Sequence, residues 1–138
     1  ELGGTLGETL LTPTRLYAKP CLELAASVEV HAMSHITGGG FAANLARVVP
    51  EGLSVRVDRG TWSPAPIFDL VGRLGDVTRP DLESALNMGV GMVALVAQDA
   101  AERALAVLAE QGVEAWQCGE VLDEAGGEVE LVGDYRVV

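Results

Sequence analysis

The stretch Val28-Glu-Val-His-Ala-Met-Ser-His-Ile36, followed by Thr37-Gly-Gly-Gly40 and Phe41-Ala-Ala-Asn-Leu-Ala-Arg-Val-Val49-Pro50, decides how the chain folds. Its first part reads as a strand with a turn near its start. Phe41, Leu45 and Val48 then fall at i, i+4 and i+7, one face of a helix, and Pro50 stops it. The glycine run is therefore a strand-to-helix junction. The first N–H groups of a helix lack internal partners and carry partial positive charge. Glycines let such a backbone wrap an anion closely, because no Cβ intrudes. The chemistry that suits this loop is phosphate binding, with Thr37 adding a hydroxyl and His35 an imidazole. The alternative is a tight turn in which the glycines only permit positive φ. The pattern is neither a Walker loop nor GxGxxG.

Working outward, Pro13 and Pro20 bracket Leu16-Tyr-Ala18, so residues 14–18 read as extended. Pro20 then falls in the first turn of a helix running to Ser27. Leu53, Val55 and Val57 alternate with polar neighbours, the pattern of a half-buried strand. Ile67, Leu70, Val71 and Leu74 mark a helix from Pro66 to Gly75. Thr78 and Asp81 form a capping box for another, with Leu82 and Leu86 on one face. Met92 to Ala97 is a continuous apolar run, which fits a strand covered on both faces. Asp99 with Glu102 reads as a second capping box. It precedes a helix lined by Ala101, Leu105 and Leu108 and ended by Gly112. Short strands follow near 114–121, 128–132 and 135–137, joined by turns such as Ala125-Gly-Gly127. Interleaved strands and helices predict a mixed α/β sheet with helices packed on it. Residues 1–138 form one domain, and the glycine-rich residues 1–9 are a loose entry segment.

Length and composition bound the function. A chain of 138 residues and 14.4 kDa, 49% hydrophobic and 21% charged, buries a core without disulfide or metal staples. Twenty acids against nine bases give −11, which argues against a nucleic-acid or anionic-lipid surface. Ten of the acids lie between Asp99 and Asp134 with Arg103 alone among them, a solvated acidic face. No apolar run reaches the ~18 residues of a membrane span and no leader opens the chain, so a cytoplasmic protein is expected. Cys21 and Cys118 read as reduced, packed thiols.

Other candidate groups are weaker. His31 and His35 share a strand face but lie ~13 Å apart, and nothing nearby completes a metal site. Asn87-Met-Gly-Val-Gly-Met92 is a second glycine-punctuated junction, either a helix cap or a site wall carrying Asn87. Trp62 with Pro64 and Pro66 reads as a loop anchor. No paired carboxylates, serine elbow or Cys/His pair emerges, so no complete catalytic apparatus is visible.

Five motifs recur together in one family: Leu10-Leu-Thr-Pro-Thr-Arg-Leu-Tyr17, Val30-His-Ala-Met-Ser-His-Ile-Thr-Gly-Gly-Gly40, Arg47-Val-Val-Pro50, Trp62 with Pro66-Ile-Phe68, and Asn87-Met-Gly-Val-Gly-Met92. Over residues 6–121 the chain resembles the C-terminal domain of phosphoribosylformylglycinamidine cyclo-ligase, or aminoimidazole ribonucleotide synthetase. The glycine motif also resembles the wider superfamily that includes selenophosphate synthetase and hydrogenase maturation proteins, but selenophosphate synthetases differ at the positions of His35 and Gly39.

The resemblance implies a step of purine biosynthesis. ATP, with Mg2+, activates the formyl amide oxygen of formylglycinamidine ribonucleotide. An amidine nitrogen then closes the imidazole ring and phosphate leaves. It implies a three-layer α/β/α arrangement with a mixed, partly ferredoxin-like sheet. It implies an absent N-terminal ATP-binding domain, a homodimer in the full-length enzyme, and inactivity of this part alone, with neither ATP nor Mg2+ bound to it. An exposed apolar docking face for the other half is expected. Carried onto this sequence, the family pattern makes His35, Thr37, Gly38, Gly39 and Gly40 candidates for ligand phosphate. Asn44, Asn87, Thr14 and Arg15 are further candidates, Arg15 being equally a structural ion-pair former. No residue is assigned as acid or base. A non-catalytic phosphate-ligand-binding or interaction module of the same superfamily is the competing expectation.

Overall fold

The computed structural model describes residues 2–123 and 126–136. Helix α1 spans Leu6–Leu10, α2 Ala18–Ser27, α3 Gly40–Ala46, α4 Pro66–Gly75, α5 Arg79–Ala85 and α6 Ala101–Glu110. Strand β1 spans Val30–His35, β2 Ser54–Asp58, β3 Met92–Val96, β4 Gly119–Leu122 and β5 Val129–Val132. The class is mixed α/β, as expected, but the strands fall into two sheets rather than one. Strands β1 and β3 pair antiparallel, with His35 opposite Met92. Strand β2 lies between β4, antiparallel to it, and β5, parallel to it.

Two cores explain the periodicities. Val55 and Val57 of β2 are buried while Arg56 and Asp58 face outward, so alternation did mark a half-buried strand. They join Ile36, Phe41, Leu45, Trp62, Val90 and Val93 in the larger core. Leu24 of α2 with Ala104 and Val107 of α6 forms the smaller core. Strand β3 is wedged between the two: Val93 and Leu95 pack toward the first, Ala94 and Val96 toward the second. Its unbroken apolar run follows from having protein on both faces.

Local chemistry sets the ends. Pro66 opens α4 at its N-terminal edge, and Thr78 caps α5 by accepting from the Asp81 amide. Trp62 is an anchor as expected: it is buried against Phe41, and its indole donates to the Met88 carbonyl at 3.1 Å.

Several expectations are corrected. The entry segment is not wholly loose, because Thr5 and Glu8 form a reciprocal capping box that starts α1. That helix buries none of its side chains, so local hydrogen bonds alone define it. The Asp99–Glu102 box does not form. Gln98–Ala100 closes into a 3-10 turn, and Ala100 becomes the uncapped N-cap of α6. The strand expected over 114–121 begins only at Gly119, although Cys118 already accepts from the Asp58 amide at 2.8 Å. Tyr135 and Arg136 are not in a strand, while position 137 and Ala125 of the expected turn lie outside the described residues. Cys21 and Cys118 are free thiols, both half-buried, and burial pushes the pKa of each up. No helix among the described residues is long and apolar enough to cross a membrane.

Candidate functional site

The glycine turn stands between β1 and α3, and both its flanks are fixed from below. On the strand side the Ile36 amide donates to the Gly91 carbonyl at 2.9 Å, and Ile36 is buried. On the helix side Phe41 and Leu45 lock α3 into the larger core. Thr37, Gly38 and Gly39 are exposed between these anchors, as is His35 at the end of β1.

The turn has the left-handed geometry that its glycines permit. Gly39 is the N-cap at φ +98°, and Gly40 follows at φ +75°. Gly40 is also pressed against α5: a Cβ there would stand 1.7 Å from the carbonyl oxygen of Glu83. The Gly40 amide closes the turn on the Thr37 carbonyl at 3.2 Å. Asn44 completes it from beneath. Its side-chain amide nitrogen donates to the carbonyls of Thr37, Gly38 and Gly40 at 3.3, 3.2 and 2.7 Å. At 4% exposure, Asn44 braces the turn from inside. Gly38 has open space where a Cβ would be, and it lies on the outer side of the loop.

The other candidates divide. Asn87 sits close by, because Met88 to Gly91 leads into the strand that pairs with β1. Its side-chain oxygen accepts from the Gly89 amide at 3.0 Å, stabilising a turn in which Met88 and Gly89 both have positive φ. Arg15 donates to the Gly112 carbonyl at 3.0 Å, beyond the end of α6, a structural contact and not an ion pair. Thr14 is exposed. Tyr17, two residues after Arg15, reaches the junction instead. Its ring meets His35 edge-on at 5.7 Å, and its hydroxyl lies over Gly91. The sequence marks Tyr17 only as the end of the motif Leu10-Leu-Thr-Pro-Thr-Arg-Leu-Tyr17, with no sign of this contact.

A second polar cluster backs the turn. Arg59 and Glu83 form a two-pronged ion pair, Nε to Oε1 at 2.8 Å and Nη2 to Oε2 at 2.7 Å. Burial alone would raise the Glu83 pKa, but bonding to Arg59 and Tyr135 and the charges of Arg59 and Arg79 hold it below the ordinary carboxylate value. Burial and the Glu83 carboxylate push the Tyr135 phenol well above its usual range. No pattern in the sequence pointed to this cluster, since its three members come from distant segments.

Among the described residues no group of three or more His, Cys, Asp or Glu side chains is placed to hold a metal. His31 and His35 are both exposed on β1. What the turn offers is an exposed loop of backbone with a hydroxyl and an imidazole beside it, rigid underneath and open above.

Comparison with known proteins agrees with the motifs. The model of the family described as "AIR synthase related protein, C-terminal domain" matches residues 1–132. The chain belongs to that family. A Streptomyces fradiae protein named putative phosphoribosylformylglycinamidine cyclo-ligase is 59% identical, covering 99% of this chain and 78% of its own length. The phosphoribosylformylglycinamidine cyclo-ligase of Symbiobacterium thermophilum is 46% identical over 92% of this chain, but only 36% of that protein is covered. That of Nitrosococcus oceani is 45% identical over 87% of this chain and 34% of its own length. Measured against these last two, the chain spans about a third of their length. The crystal structure of Escherichia coli HypE, a hydrogenase maturation protein, superposes with a TM-score of 0.64 at 27% identity, covering 96% of this chain and 42% of that one.

Proposed function

We propose that this chain is the C-terminal part of an ATP-dependent cyclo-ligase that converts formylglycinamidine ribonucleotide to aminoimidazole ribonucleotide in the cytoplasm. The observation that carries the reading is the glycine turn of residues 37–40, lying within a chain that shares 59% identity with a protein named for this reaction. The turn's role is positioning. Thr37 and the exposed amide groups hold ligand phosphate, Asn44 keeps the turn in shape, and His35 borders the same opening. Ring closure requires alignment of the amidine nitrogen and stabilisation of developing charge on the activated oxygen, which fixed backbone donors supply without reorganising.

ATP and its magnesium belong, in this reading, to an N-terminal domain, and the completed enzyme is a homodimer. Exposed leucines support a docking role for the front of the chain: Leu10, Leu11, Leu16 and Leu22 are 64%, 83%, 86% and 72% exposed. The chain alone is inactive because only one wall of the site is present.

The test is a turnover assay on the chain joined to its N-terminal domain. The expected result is ATP-dependent cyclisation by the joined protein, none by the chain alone, and strong loss on Gly38→Val. Gly38 suits this better than Gly39, whose φ of +98° would strain any side chain. Absence of cyclisation by the joined protein would favour the non-catalytic binding module. Full activity of Gly38→Val would remove phosphate binding from the turn.

A further inference from the structure

The segment after β4 carries no sequence motif, yet it is connected to the glycine turn through a continuous set of contacts. Glu83 stands at the centre. Its backbone carbonyl oxygen is so close to Gly40 that only hydrogen fits between them, and its carbonyl carbon would lie 2.8 Å from a Cβ at Gly40. Any shift of α5 at Glu83 is therefore felt at the last residue of the turn. The Glu83 carboxylate, 10% exposed, is gripped by both prongs of Arg59. Arg59 in turn donates to the carbonyl of Leu131, at the end of β5, and to that of Gly133 at 3.4 Å. The Tyr135 ring lies 6.0 Å from the Arg59 guanidinium that grips this carboxylate. Tyr135 also meets Trp62 edge-on at 5.2 Å, and Trp62 stacks on Phe41 of α3.

A buried ion pair is a poor device for stability alone, since apolar residues of similar volume do as well or better. What it supplies is direction: a two-pronged grip fixes the orientation as well as the distance of its partners. Here the fixed group carries the carbonyl that abuts the turn. We propose that Arg59, Glu83 and Tyr135 are positioning residues that tie residues 131–135 to Gly40, so that the C-terminal segment helps hold the glycine turn in its binding geometry. The tie itself is read from contacts. Its consequence for catalysis rests on the phosphate-binding reading above.

The experiment separates the two. Amide hydrogen exchange and steady-state kinetics are measured on the chain joined to its N-terminal domain, for wild type, Glu83→Gln and Tyr135→Leu. The Gly40 amide, bonded to the Thr37 carbonyl, is the reporter, and amides of the β1–β3 pair are the reference. The expected result is ~10-fold faster exchange at Gly40 with the reference unchanged, because only the local opening equilibrium is altered. KM for the ribonucleotide should rise by a similar factor with a smaller change in kcat. Unchanged exchange at Gly40 in both variants overturns the tie. Faster exchange with unchanged kinetics upholds the tie and instead removes the turn from substrate binding. Should Glu83→Gln fail to fold, Tyr135→Leu, which removes the ring beside Arg59 and Trp62, decides alone.

Discussion

The phenol oxygen of Tyr17 lies over Gly91 so closely that a Cβ at Gly91 would stand 1.9 Å from it. Gly91 is also the residue whose carbonyl receives the Ile36 amide, one position before the glycine turn begins. Tyr17 thus belongs to the same junction as His35, whose ring it meets edge-on. No positive φ is involved at Gly91, so the demand for glycine there is one of space. Gly91→Ala should destabilise the chain by about 1–3 kcal/mol through overpacking. Adding Tyr17→Ala should recover part of that loss, with a coupling of about 1 kcal/mol in a double-mutant cycle of denaturant unfolding. Strict additivity would show that the phenol is not the obstruction.

Gly40 and Gly38 should respond in opposite ways to the same methyl group. At Gly40 the new Cβ meets backbone of α5 and the φ of +75° is unfavourable for any side chain. Gly40→Ala should cost about 3–5 kcal/mol, the sum of overpacking and left-handed strain. At Gly38 nothing lies within 4 Å of the added carbon, and Gly38→Ala should stay within about 0.5 kcal/mol of wild type. Thermal melts of the two variants check the contrast.

Asn44 donates to three carbonyls of the turn, and its side-chain oxygen accepts from Arg47 at 3.4 Å. Asn44→Ala leaves those carbonyls without their buried donor and should cost about 2–3 kcal/mol. Asn44→Asp should be at least as damaging, since an ionised carboxylate presents only acceptors to the carbonyls. Urea midpoints at neutral pH measure both. Equal stability of wild type and Asn44→Ala would mean the turn holds its shape without the amide.

Glu83 makes stability depend on acid. Its folded pKa lies below the ordinary 4.5, so its contribution is complete above that value and is lost as pH falls through the lower folded value. Tyr135 acts at the other end. Its phenol is raised above 10.0, so its contribution is intact below that pH and declines as pH climbs beyond it. Glu83→Ala removes both prongs of the part-buried pair with Arg59 and should cost about 1.5–3 kcal/mol at neutral pH. It should also flatten part of the acid limb in a stability-against-pH series. An acid limb identical in wild type and Glu83→Ala would place the titrating group elsewhere.

Much of the secondary structure was legible because it rests on local rules. Helix α4 starts at Pro66 and ends at Gly75, both visible as punctuation in the sequence. Alternation at Val55 and Val57 gave β2, and the unbroken run from Met92 gave β3. The Asp99–Glu102 box failed because Asp99 is taken up in the 3-10 turn Gln98–Ala100, which leaves Ala100 as the N-cap of α6. The partner of Arg15 was not legible for a different reason. A long side chain has many reachable partners, and only the packed structure shows that its guanidinium meets the Gly112 carbonyl.

The sequence by itself determined the order of elements, the glycine junction of residues 37–40 and, through five motifs in register, the family. These depend on backbone propensities, on side-chain period and on residue identity, all of which are written along the chain. Only the tertiary structure decided that the strands split into two sheets, that Asn44 faces inward, and that Tyr17, Arg59, Glu83 and Tyr135 gather around the glycine junction. Those facts depend on which distant segments come within a few ångströms of one another. Pairing of that kind is set by how whole surfaces fill space, and no window of neighbouring residues contains it.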